Sequence, residues 1–287
     1  MSAGHRGIPA GRRERRRGER PWALFAASLS PFALKVASLL DAHGLAYRWV
    51  PGEAGFVESL RTRLRVARVH SGAAPLTWPE RDPLDEFPLV PYLFGPDGEN
   101  LYDSSAIGQW LDDNRDGVGS TASVTIPIDD PALELAVRLV DEYADEFGLY
   151  MAHHNRWVVA ARDNGAGERL AAEFKPLLGP AAAVVRRQFP ARQVRRLPYL
   201  FSVADPADAS FDDLPAALRP PGRDGFPPTH ALLDECFARL LAVLEALLDT
   251  RPYLFGERFT LADASLYGQL QMNVTDAAAE ARMRRRR

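Results

Sequence analysis

Residues 21–50 constrain the fold more than any other stretch of the chain. PWALFAA (21–27) is an apolar run without a charge, and LAYRWV (45–50) reads as a second strand. Between them, Pro31 to about His43 carries Phe32, Val36, Leu39 and Leu40 at i, i+4, i+7 and i+8, the spacing of one helical face. Gly44 suits the position just past the helix end, where a left-handed backbone is needed. Two strands joined through a helix in so short a span form a parallel pair, because an antiparallel pair needs only a turn. The unit predicts a sheet with helices on its faces.

Residues 51–114 extend that sheet. FVESLRTRLRVARVH (56–70) has a helical pattern, whereas SGAAPLTWPERDPLDEFP (71–88) holds four prolines and reads as loop. LVPYLF (89–94), the turn GPDG (95–98) and NLY (100–102) predict a β-hairpin. Pro91 lies inside the first of these strands, where a ladder N–H is normally required, so the backbone there is expected to be special. DSSAIGQWLDDN (103–114) opens with an N-cap signature and presents Ile107, Trp110 and Leu111 as an apolar face.

Beyond a Gly-, Ser-, Thr- and Pro-rich linker (115–129) the pattern turns wholly helical. Asp130 as N-cap and Pro131 at the first helical position start a long helical run through 164. More helix is predicted over 167–196, interrupted at Pro176, Pro180 and Pro190, then a loop over roughly 197–228. THALLDECFARLLAVLEALLDT (229–250) is a strong amphipathic helix, and Thr260 and Asp263 have capping-box spacing ahead of a last helix. The division expected is a basic tail (1–20), an α/β domain (21–115) and an all-helical domain (129–287).

Composition bounds the function. At 46% hydrophobic and 25% charged residues, the 287-residue chain is that of a folded globular protein. No window reaches the ~20 apolar residues of a membrane helix, and the N-terminal arginines precede no apolar run of a secretory signal. Cys236 is the only cysteine, which excludes an internal disulfide and suits a cytoplasmic chain. The tails, +5 over residues 1–20 and +4 over 280–287, leave −12 of the −3 total to residues 21–279. An acidic body argues against specific nucleic-acid or membrane partners, and the tails are expected to be solvated and disordered.

The order of elements, together with four motifs, resembles the cytosolic glutathione S-transferases of the serine type. Ser30-Pro31-Phe32 resembles the Ser-Pro-Phe at the start of helix 1, and Val90-Pro91 the Val-Pro whose proline is cis in that family. Asp103-Ser104-Ser105-Ala106-Ile107 is similar to the family's Glu-Ser-x-x-Ile, and YLFGERFTLADASLYGQL (253–270) to its C-terminal folding motif. The resemblance implies an α/β thioredoxin-like N-terminal domain followed by an all-α helical-bundle C-terminal domain. It also implies glutathione as co-substrate, a small hydrophobic electrophile, a homodimer, and no metal or redox cofactor. Ser30 is implied as the catalytic residue, with Phe32, Val90, Pro91, Asp103 and Ser104 as glutathione contacts.

The residues suit these roles physically. A thiol reacts as thiolate, and Ser30 stands where a helix offers free N–H groups and its positive dipole end. The same hydroxyl also suits a plain N-cap, and Ser28 is the reserve candidate. A cis Pro91 turns the Val90 backbone toward a ligand that pairs strand-fashion. Asp103 and Ser104, at a helix start, suit an amino-acid end group and equally suit a helix cap.

Three departures separate this chain from the family pattern: Asp103 is one methylene shorter than Glu, Leu89 stands in place of a lysine, and roughly fifteen extra residues precede Val90. They leave a non-catalytic binding or interaction protein of the same fold as the alternative. His153 and His154 point about 100° apart on a helix, so they are read as packing residues rather than a metal pair. Cys236 is read as a small buried hydrophobe. Ser30 and Ala33 occupy the places of two redox cysteines, which excludes dithiol chemistry there. The short stretch after GQL is expected to leave Leu266, Leu270 and Met272 less well covered.

Overall fold

The structure, a computed structural model, describes residues 20–80, 90–114 and 125–284. β1 (Trp22–Phe25) and β2 (Tyr47–Val50) flank α1 (Pro31–Ala42), as the opening pattern predicts, and pair in parallel from Trp22↔Tyr47 to Phe25↔Val50. Gly44 follows α1 at φ 67°, the left-handed step that only glycine makes without strain. α2 (Phe56–His70) comes next, then β3 (Tyr92–Phe94), β4 (Asn100–Tyr102) and α3 (Ser104–Asp113). The sheet order is β2-β1-β3-β4, with β3 antiparallel to both neighbours.

The two faces of this sheet bury different sets of side chains, as period-2 alternation dictates. Leu24, Leu93 and Leu101 face α1 and α3 and join Val36, Leu39, Leu40, Ile107 and Leu111, all fully buried. Phe25, Val50, Tyr92 and Phe94 face α2 with Val66, Val69, Ala74 and Leu76. Burying each large aliphatic side chain contributes about 1.5–3 kcal/mol. The long connection after α2 has a structural use at its start: Thr77 N–H donates to Asn100 O (2.8 Å) and Tyr102 N–H to Trp78 O (3.1 Å). It thereby covers the exposed edge of β4. The rest of that connection, 81–89 with Leu89, lies outside the described residues, as do the linker residues 115–124 and the arginine tail 1–19.

The linker is not solvated to its end. Thr125 and Ile126 are buried, and the Asp112 carboxylate accepts both of their backbone N–H groups. The long helical run is continuous but not uniformly α: α4 (Pro131–Tyr143), a π-helical turn (Ala144–Gly148), α5 (Leu149–His154) and a second π-helical turn (Asn155–Val159). Asp130 caps it, accepting from Ala132 and Leu133 N–H at 3.1 Å each. α6 (Ala166–Leu178) and α7 (Ala182–Arg196) form a hairpin. Pro176 and Pro190 lie inside these helices, so of the three prolines only Pro180 marks a break.

α8 (His230–Leu248), α9 (Leu261–Asn273) and α10 (Ala277–Arg284) complete the chain. α9 is buried on most sides, and its Gly268 comes so close to α1 that an added Cβ would stand 2.3 Å from Pro31 O. Its N-terminus holds the expected capping interaction, with Thr260 N–H donating to Asp263 Oδ2 at 2.8 Å. The arginine-rich C-terminus departs from its expected disorder. Residues 277–284 are helical, and Arg282 pairs with Asp234 at 2.7 Å. Leu266 and Met272 are buried despite the short sequence after them, with Leu270 half-buried. Among the described residues no helix is long and apolar enough to cross a membrane.

Candidate functional site

Strand register brings the chemistry-bearing residues to one end of the sheet. Phe25 pairs with Tyr92, and Tyr92 pairs with Tyr102. The carboxyl end of β1, the amino end of β3 and the carboxyl end of β4 therefore lie side by side. From these ends leave the loop to Ser30, the Val90–Pro91 peptide and Asp103–Ser104. All six residues singled out in the sequence sit there or on the first turns of α1 and α3.

Ser30 is the N-cap of α1, half-buried, with Pro31 at the first helical position. Its Oγ accepts from Ala33 N–H at 3.4 Å, and its backbone O from Leu34 N–H at 3.1 Å. Capping and donation do not exclude each other: a hydroxyl that accepts an N–H keeps its own hydrogen for another acceptor. The N–H of Phe32, in the first turn, has no helical acceptor four residues back and faces the same mouth. The Val90–Pro91 bond is cis, with Pro91 buried and Val90 half-buried. Asp103 caps α3, accepting from Ala106 N–H at 2.9 Å, in the left-handed region at φ 65°. Asp103 is exposed and Ser104 buried.

The loop 26–30 is held from behind by the helical domain, which no motif in the sequence signals. Glu173 of α6 accepts from Ser28 N–H (2.9 Å) and from Ser28 Oγ (3.0 Å). Burial pushes the Glu173 carboxyl up, and the two Ser28 donors oppose that shift. Ser28, the reserve candidate, thus has its hydroxyl hydrogen committed. Arg156, buried at the second π-helical turn, donates to Leu29 O at 3.2 Å, to Met272 O at 2.6 Å and to Asp276 at 2.8 Å. Leu29 and Ala27 pack against Leu170, Phe174 and Val194 of the α6–α7 hairpin.

A second cluster joins α1 and α3 to α4 and the π-helical turn that follows it. Lys35 Nζ meets Asp141 Oδ1 at 2.5 Å, Asp145 Oδ2 at 2.6 Å and Ser105 Oγ at 2.7 Å. Burial works to lower the Lys35 pKa, but Asp145 and Asp141 outweigh it and hold it above its ordinary value. Burial also pushes Asp145 up to about 6 against the pull of Lys35. Neither Lys35 nor Arg156 carries a sequence signal beyond a cation amid apolar neighbours.

His154 bridges Ser202 and Asp234 (3.1 and 2.9 Å) with Ser202 fully buried, which suits its reading as a packing residue. Cys236 is partly rather than fully buried, against the cluster of Met151, Leu233 and Phe237.

Comparison with known proteins places this architecture. Residues 29–114 match the family model "Glutathione S-transferase, N-terminal domain" and 200–274 match "Glutathione S-transferase, C-terminal domain", together more than half of the chain. The α6–α7 hairpin falls in the stretch between the two matches. Among curated proteins no sequence matches. Similar solved structures include a glutathione transferase from Phanerochaete chrysosporium, 18% identical over 89% of this chain and 85% of that one, with TM-score 0.50. A glutathione S-transferase of Ceriporiopsis subvermispora, solved in complex with glutathione, is 15% identical over 90% and 86%, with TM-score 0.49. A four-stranded mixed sheet followed by a helical domain, matched at both ends by models of one family, carries the assignment: the chain belongs to the glutathione S-transferase family.

Proposed function

We propose that this protein binds glutathione, or a related thiol, at the end of the sheet marked by Ser30, Val90–Pro91 and Asp103–Ser104, and conjugates it to a small hydrophobic electrophile. The observation that carries this reading is Ser30 at the mouth of α1. The Oγ hydrogen is free to donate while the oxygen caps the helix, and the dipole end of α1 favours an anion at the same point. The thiol sulfur lies at that mouth, and its proton leaves to solvent. Donation from Ser30, with the Phe32 N–H beside it, stabilises the thiolate for attack on the electrophile; each unit by which the thiol pKa falls corresponds to about 1.4 kcal/mol. Val90 offers its backbone to the thiol's peptide, and Asp103 with Ser104 receives the amino-acid end. The chemistry needs no metal or redox cofactor.

The partner proposed is a second copy of the chain. Leu135, Leu139 and Tyr143 form an exposed apolar row along α4, at 60%, 61% and 38% exposure. Leu139→Glu is expected to yield monomers by sedimentation; an unchanged assembly state rejects this surface. A cytoplasmic location is proposed with this activity.

One observation favours a second reading, a non-catalytic binding protein. The α6–α7 hairpin packs on the loop ahead of Ser30 and ties down Ser28, contacts that fix the loop and supply no group to the chemistry. Calorimetric titration of glutathione into wild type and Ser30→Ala separates the readings. Saturable binding with ultraviolet thiolate absorbance, lost in Ser30→Ala, supports the transferase. Binding without thiolate absorbance supports the second reading, and absence of heat at millimolar glutathione rejects glutathione as the ligand.

A further inference from the structure

At the other end of the same sheet lies a cleft of about 500 Å³ that the thiol site does not use. It is lined by Arg61, Leu64, Arg65, Arg68, Ala74 and Asn100, on the α2 side of the sheet. β3 runs from Tyr92, next to Pro91 at the thiol end, to Phe94 at this end, so the strand itself separates the two places. The volume is that of a site for a small organic molecule.

Among the described residues no carboxylate forms an ion pair with the arginines that line this cleft. Arg65 is fixed by neutral acceptors: its Nε donates to Asn100 Oδ1 at 2.7 Å and its Nη2 to Glu99 O at 2.8 Å. The Asn100 amide is itself aimed by its bond to Pro75 O (2.9 Å), and the Arg65 guanidinium lies 4.6 Å from the Phe94 ring centroid. The nearby Glu99 carboxylate turns back on its own hairpin turn and accepts from Asp97 N–H at 3.0 Å. Glu58, the acidic residue of α2, pairs with Arg48 instead. Among the described residues the side chains of Arg61 and Arg68 have no hydrogen bond or ion pair. Arg61 and Arg68 stand at i−4 and i+3 from Arg65, so an anion over Arg65 is within one helical turn of both. Burial holds the Arg65 guanidinium below its ordinary value, and the Glu99 carboxylate opposes that shift. The lining is otherwise apolar, supplied by Leu64 and Ala74.

We propose that this cleft binds the phosphate group of an organic phosphate monoester, held by Arg61, Arg65 and Arg68, with the apolar body of the ligand against Leu64 and Ala74. Guanidinium groups suit this anion because their paired N–H donors match its oxygens. The phosphate belongs either to a soluble metabolite or to a lipid headgroup. Exposed Phe56, Val57 and Leu60 on the first turns of α2 make the lipid source worth a separate arm.

The test is calorimetric titration of the full chain with inorganic phosphate and with phenyl phosphate, on wild type, Arg61→Ala/Arg68→Ala and Arg63→Ala. Arg63 is exposed on α2 but does not line the cleft. Wild type is expected to bind phenyl phosphate saturably and more tightly than phosphate. The double variant should lose about tenfold for each arginine, and Arg63→Ala should titrate as wild type. Thermal melts of all three report whether the variants fold, and the exposed, unpaired side chains predict that they do. In parallel, vesicles of phosphatidylcholine with and without phosphatidic acid are sedimented with the same proteins. Sedimentation that needs both phosphatidic acid and the two arginines assigns the phosphate to a lipid; titration without sedimentation assigns it to a soluble ester. The proposal is overturned by absence of both up to about 10 mM ligand, by a double variant that behaves as wild type, or by an equal loss in Arg63→Ala. Competition by glutathione also overturns it, because that places the phosphate at the thiol site.

Discussion

Lys35 stands five residues after Ser30, at 1% exposure, on the helix that must position the site. A buried ammonium persists only when carboxylates and hydroxyls surround it, and here Asp141, Asp145 and Ser105 do so. Ser265 of α9 adds a hydroxyl to Asp141 at 2.5 Å, so α1, α3, α4 with its π-helical turn, and α9 meet at one charge cluster. Removing the cation alone leaves two buried carboxylates uncompensated. Lys35→Met is therefore expected to cost about 3–5 kcal/mol by urea denaturation, with part of it recovered in Lys35→Met/Asp145→Asn. Equal stability of Lys35→Met and wild type would show that the cluster is not what joins α1 to the helical domain. In the sequence this lysine reads as one more residue of an amphipathic helix. Its partners lie 106 and 110 residues away, beyond the reach of any local pattern.

At the scale of elements, the α1–α9 contact decides how the site is held. Gly268 lets the α9 backbone come against Pro31, the residue directly after Ser30. A methyl group there meets backbone rather than a yielding side chain, so α1 or α9 must move. Gly268→Ala is expected to cost about 1–3 kcal/mol and to weaken thiol binding together with stability. Unaltered stability in a melt would mean that the helices separate freely. The helices themselves are legible in the sequence: periodicity, Pro131, Asp130 and the Thr260–Asp263 pair mark their bounds. The two π-helical turns are not, because each spans a single turn, too short to show a period of its own. Pro176 and Pro190 read as breaks and are not. Proline interrupts a helix only where its missing N–H and its ring cannot be accommodated, and here the helices continue through both.

For the whole molecule, two half-buried groups tilt stability against pH in opposite directions. Asp145, raised from 3.8 to about 6 chiefly by burial, binds its proton more tightly folded than unfolded. Its contribution is present below pH 4 and is lost as pH rises to about 6. His230, lowered from 6.5 to about 4 by burial first and then by His154, does the reverse. Its contribution is present above pH 6.5 and is lost as pH falls to about 4. The two offset each other between pH 4 and 6. Asp145→Asn removes one side of the balance, so stability is expected to rise more steeply with pH over that window than in wild type. Denaturant midpoints measured at half-unit pH steps would show parallel profiles if Asp145 is not the group responsible.

Legible in the sequence are the parallel β1–β2 pair, the β3–β4 hairpin, the bounds of most helices, and the residues at the end of the sheet where Ser30, Pro91 and Asp103 stand. Each is written in spacing over a few residues: alternation, helical period, a cap, a turn glycine. The tertiary structure alone decided what stands behind and beside them. Glu173 reaches Ser28 across 145 positions, Arg156 reaches Leu29 across 127, and the arginines of α2 line a cleft where no carboxylate of the described residues forms an ion pair with them. Pairing between charges depends on where distant elements pack, and local hydrophobic pattern carries no record of that.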